Sequence, residues 1–169
     1  MYLPRKREAR RFVGSTNTWS IGAIAGLAGG GIEIAWIATY MRLSGGGAAE
    51  VARGVTDTVL PKLVAPTAAV SLGIAIHMGL AIMLGIMVAV LVRSLLPRTS
   101  PALLEPLAVV AILVLVWAIN FFVVLPIINP AFVALVPYTA SLVSKVLFGA
   151  AAGLALKLFD GPETSGVQA

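Results

Sequence analysis

Four polar side chains stand alone in apolar surroundings: Glu33, His77, Asn120 and Lys145. A carboxylate and an amine can form an ion pair. Imidazole titrates near neutral pH, and a carboxamide both donates and accepts hydrogen bonds. Together they could relay a proton or hold an ion, which is the default functional reading of ionisable residues inside membrane spans. A carboxylate at mid-bilayer costs about 2.5–3.5 kcal/mol on insertion scales, so Glu33 needs a partner. The competing role is structural: a Glu33–Lys145 pair would fix helix register, because interhelical polar contacts in membranes average only about 0.6 kcal/mol. Lys145 could instead snorkel to the interface and leave Glu33 to another partner.

Other chemistries find little support. The single histidine and the absence of cysteine exclude disulfides, thiolate metal sites and multi-histidine metal sites within one chain. Gly29-Gly30-Gly31 lies inside an apolar run and is not a phosphate loop. No nucleophile–base pattern is present, so an enzyme is not expected. Haem on His77 would need a histidine from a second chain, or a methionine. Met78, Met83 and Met87 are near in sequence but off the His77 stripe. No cofactor and no metal are therefore predicted, and Met83 and Met87 read as packing residues.

The elements that must position these groups follow from composition. Of 169 residues, 59% are hydrophobic and 11% charged, against about 25% charged in an ordinary soluble domain. That balance predicts a polytopic membrane protein. The net charge of +5 comes mostly from the first residues, Arg5, Lys6, Arg7, Arg10 and Arg11. It reads as a topology signal rather than a nucleic-acid footprint, and no nucleic-acid partner is expected. The run that follows is too long for a signal-peptide core, and Arg10-Arg11-Phe12 is a poor twin-arginine signal.

The expected fold is all-α: a four-transmembrane-helix bundle with a short outer amphipathic helix in its first loop. Residues 1–18 form a basic cytoplasmic segment. The spans cover about 19–41, 67–95, 103–125 and 138–159, and residues 160–169 form a mobile tail. Small residues recur every four positions: Gly22, Gly26 and Gly30; Ala25, Gly29 and Glu33; Gly73, His77, Ala81 and Gly85; Ser141, Lys145, Gly149 and Gly153. Such stripes let helix backbones approach. In the first loop Val51, Val55 and Val59 share a helical face, with Glu50, Arg53 and Asp57 opposite, and Pro61 stops the helix. Lying on the outer surface, that helix would hold its charges in local ion pairs. The loop 126–137 carries no charge and three prolines, so it should lie in the interface, dip into the bundle or be covered by another protein.

At about 1.5 Å per residue, Glu33, His77 and Lys145 fall roughly 12–15 Å from the outer ends of their helices, and Asn120 roughly 8 Å. All four therefore share one layer in the outer half, with Ser141 or Ser144 at its edge. Arg5, Lys6, Arg7, Arg10, Arg11, Arg93, Arg98 and Lys157 against Arg42, Arg53 and Lys62 place both termini in the cytoplasm, as in a bacterial inner membrane. The functional expectation is a non-enzymatic accessory or structural subunit, associating with lipids and with other membrane subunits or itself. The alternative is a small proton- or ion-coupled transporter or channel using Glu33, His77 and Lys145. The inner halves offer only small residues such as Gly85, Gly149 and Gly153, which weighs against a through-path.

Overall fold

A computed structural model describes residues 5–60, 65–97, 100–101 and 103–159, with residues 5–16 and 66 described in backbone only. It is helical, with no strand among the described residues. The helices are α1 (Arg5–Leu43), α2 (Ala48–Val59), α3 (Pro66–Leu95), α4 (Leu104–Ile119), α5 (Leu125–Ile128), α6 (Pro130–Leu135) and α7 (Tyr138–Phe159), with a π-helical turn at Asn120–Val124 joining α4 to α5. Four stretches are long and apolar enough to cross a membrane: Asn17–Leu43, Thr67–Leu95, Leu104–Ile128 and Tyr138–Phe159. The described residues are all helical, and four stretches have the length and apolarity of a multi-pass membrane protein.

Helix α1 runs unbroken from Arg5 to Leu43, so it includes most of the basic segment as well as the first apolar stretch. Two local features depart from the sequence expectation. The third apolar helix continues past 125 to Ile128. Most of the segment 126–137 is helical rather than loop, with Pro130 in the first turn of α6, where its missing N–H costs nothing. The tail 160–169, the helix-stopping Pro61, and Lys62 and Arg98 lie outside the described residues.

The four long helices pack in the order α3, α1, α7, α4, and α4 returns only slightly to α3. The α1–α3 crossing is a backbone contact. A Cβ on Gly26 would come within 2.7 Å of the Ile82 Cα, and one on Gly22 within 2.7 Å of the Ile86 Cα. A Cβ on Gly85 would overlap the Gly26 backbone from the other side. On α7, Gly149 and Gly153 admit Val110 and Pro106 of α4, while the Phe148 ring lies on Gly29 of α1. Gly30 receives Ala81 and Met78 of α3.

The half of the bundle where α3 ends and α4 begins is a dry core. Val88, Val92, Val109, Leu113, Phe148 and Leu156 are all at most 2% exposed there. Toward the other end, α2, α5 and α6 cover the bundle. The first loop turns at Gly45, whose φ of +80° lies in the region open to glycine. Helix α2 then docks on α3: the Thr56 hydroxyl donates to the Ala69 carbonyl at 2.6 Å, and Gly73 leaves room for the Ala52 carbonyl. Gly73 thus packs against α2 and not against another long helix.

Candidate functional site: a charge cluster on the wall of an apolar cavity

Glu33 is 7% exposed near the middle of its apolar run. Its carboxylate holds the Lys145 ammonium through both oxygens, at 2.7 Å to Oε1 and 2.8 Å to Oε2. The Ser144 hydroxyl donates to Oε1 at 2.9 Å and also lies 2.7 Å from the Ser141 carbonyl. Consecutive residues of α7 therefore serve one carboxylate of α1. This works because Ser144 and Lys145 both fall on the side of α7 that faces α1. Lys145 does not snorkel away: its side chain is 16% exposed, and its Nζ lies 5.3 Å from the Phe148 ring centroid.

His77 of α3 brings Nε2 to 3.8 Å from Glu33 Oε2, beyond hydrogen-bond distance. That nitrogen is buried and has no hydrogen-bond partner. Its ring also faces the Gly30 backbone. Asn120 lines the same cavity from the turn that follows α4, but among the described residues its side chain makes no hydrogen bond to Glu33, His77 or Lys145. It begins the π-helical turn, accepting the Leu125 N–H at its carbonyl. A regular helix would drive the Pro126 ring into the Phe122 carbonyl, and the extra residue in the turn relieves that clash.

These groups stand on the wall of a cavity of about 750 Å³. Every long helix contributes to it, and so does α2. Val51, Val55 and Val59 of α2 line the cavity, and Val59 stays 49% exposed. Trp117, Phe121, Phe132 and Phe148 give it an aromatic lining, and Val136, 3% exposed, shows that part of the uncharged 126–137 segment dips into the bundle. Ile127 and Ile128 of the same segment remain exposed. No group of three or more His, Cys, Asp or Glu side chains suited to a metal exists among the described residues.

Several site-building residues escaped the sequence reading. Asn129 accepts the Phe132 N–H at 3.2 Å, capping α6, and donates to Thr58 Oγ1 at 2.8 Å, tying α6 to α2. An Asn-Pro pair ahead of an apolar run is a capping signal that could have found the first of these contacts. Trp117 donates to Ser141 Oγ at 3.0 Å, and Trp36 to the Ala140 carbonyl at 2.9 Å. No sequence signal points to those pairings.

No family model, no curated protein and no solved structure matches this chain.

Proposed function

We propose that the chain is a non-enzymatic accessory subunit of a membrane assembly, and that its bundle holds a lipophilic small molecule. The observation that carries this reading is the cavity of about 750 Å³, apolar over most of its wall, with Glu33, Lys145, His77 and Asn120 among its polar groups. Small-molecule sites have this size and this pairing of apolar wall with few polar groups. The exposed apolar stretch Phe122–Val124 and Ile127–Ile128, together with the near absence of soluble parts, suits a neighbour within the membrane. The basic residues at the N-terminus and at Arg93 orient both termini toward the cytoplasm, as in a bacterial inner membrane.

A proton- or ion-coupled conduit is the second reading, favoured by three titratable groups within one cluster. The packed layer of Phe148, Leu113, Val88 and Val109 weighs against it, since no polar side chain continues the path there.

The test is purification from the native membrane into nanodiscs, followed by native mass spectrometry. A discrete non-phospholipid mass bound once per chain, with stoichiometric partner subunits, is expected. A bare homogeneous chain that retains neither would overturn the proposal. Proton flux in liposomes, abolished by Glu33→Gln, would establish the conduit in its place.

A further inference from the structure

We infer that the cavity takes a flat, uncharged lipophile bearing a carbonyl head, and that Lys145 donates the hydrogen bond that orients it. The inference rests on the reading of the cavity as a ligand site and adds the chemistry of the ligand.

The argument begins with hydrogen-bond capacity. An ammonium has three N–H donors. The Glu33 carboxylate, with Oε2 hydrogen-bonded at 2.8 Å and Oε1 at 2.7 Å, takes at most two of those of Lys145. No protein acceptor takes the third among the described residues, and Lys145 is part of the cavity wall. The neighbouring polar groups are already engaged. Ser144 donates to Glu33, Ser141 accepts from Trp117 and donates to the Tyr138 carbonyl, and Thr58 donates to the Gly54 carbonyl. What the wall offers a ligand is therefore one charged N–H donor and the Asn120 carboxamide, beside His77, whose buried Nε2 has no partner. The ammonium and the carboxamide can both donate to a ligand oxygen.

Charge narrows the head further. Glu33 and Lys145 neutralise one another within the wall. A carboxylate or an ammonium on the ligand would arrive as an unpaired charge in apolar surroundings, or would have to break the existing pair, and both are costly. A neutral carbonyl accepts the Lys145 N–H and leaves the pair intact. A hydrogen bond from a charged donor is among the stronger kinds. The rest of the wall speaks to shape. Trp117, Phe121, Phe132 and Phe148 offer ring faces, which suit a planar unsaturated body. Val51, Val55 and Val59 of α2 offer an aliphatic surface for a tail.

The test uses the full chain in phosphatidylcholine nanodiscs and four probes: a short-chain alkyl benzoquinone, dodecane, laurate and dodecylamine. Tryptophan fluorescence follows the quinone directly, because Trp117 lies on the cavity wall, and reports the others by competition. Saturable quenching is expected, with the quinone binding at least tenfold tighter than laurate or dodecylamine. The paired Glu33→Met/Lys145→Met variant keeps the wall neutral, removes the Lys145 donor and adds none, and should lose tenfold or more in quinone affinity. Val55→Phe narrows the cavity from α2 without adding a tryptophan or touching the Glu33–Lys145 pair, and should weaken saturable quenching as well. Tighter binding of laurate or dodecylamine, or an unchanged affinity in the paired variant, would overturn the carbonyl assignment while leaving a ligand cavity. Failure of all four probes to bind saturably would overturn the cavity reading as well.

Discussion

Glu33 and Lys145 are each partnered chiefly by the other, and the consequences of separating them can be stated. Removing one member of a buried pair leaves an uncompensated charge, at a cost of about 3–5 kcal/mol. Lys145→Met alone should therefore destabilise the protein by about that amount in chemical unfolding, and the paired Glu33→Gln/Lys145→Met change should recover most of the loss. Ser144→Ala removes one hydrogen bond to a charged acceptor and should cost less, about 1.5–3 kcal/mol. Equal costs for the paired and single variants would show that the two side chains do not act together. The sequence made Glu33, His77 and Lys145 visible because each is the lone ionisable group in an apolar run, and depth along a helix is simple arithmetic. It made Ser144 no more than an edge residue, since serine carries no charge to mark it. The facing of Trp117 toward Ser141 depends on how far α4 and α7 are rotated about their axes, which a helical repeat with abundant Ala and Gly does not determine.

Among the elements, glycines on and off the small-residue stripes play opposite parts. Gly85 has the Gly26 backbone where a Cβ would stand, whereas Gly31 and Gly79 have nothing within 4 Å. Gly79→Ala should gain helix propensity and stabilise the protein by up to about 1 kcal/mol. Gly85→Ala has the same gain available but must separate α1 from α3, and overpacking of this kind costs about 1–3 kcal/mol or more. Thermal unfolding in one detergent should shift in opposite directions for the two variants, and a shift of the same sign would contradict the crossing. Helix α2 teaches a related lesson. Its valine face was legible from the i, i+4 spacing, yet the surface that face meets was not. Thr56 and Gly73 decide that, by docking α2 on the start of α3. The contact between α2 and α6 rests on Asn129. Asn129→Ala removes both a helix cap and that tie, and should cost about 1 kcal/mol from the cap alone. Backbone amide exchange in Ala48–Val59 and Pro130–Leu135 should then quicken together, while α7 stays protected.

At the scale of the whole molecule, the cavity and the dry core divide the bundle into two unlike ends. The end with the turn at Gly45 carries the cavity, roofed by α2 and α6, and the end with the α3–α4 connection is filled by Val88, Val109 and Leu113. If the basic residues orient the chain, Ser44 lies outside the cell membrane and Ser100 inside. The absence of native cysteine makes this directly measurable, since a single introduced thiol is the only one present. A membrane-impermeant maleimide added to intact spheroplasts should label Ser44→Cys and not Ser100→Cys, and inverted vesicles should reverse the pattern. Val55→Cys, on the cavity wall, should react slowly and only from the Ser44 side, and should be protected by a ligand that fills the cavity. Val88→Cys, sealed in the core, should stay unlabelled from both sides until the protein is unfolded. Labelling of Val55→Cys from the Ser100 side would mean that the core opens, and a conduit through Glu33 and Lys145 would then replace a one-sided binding site as the use of this bundle.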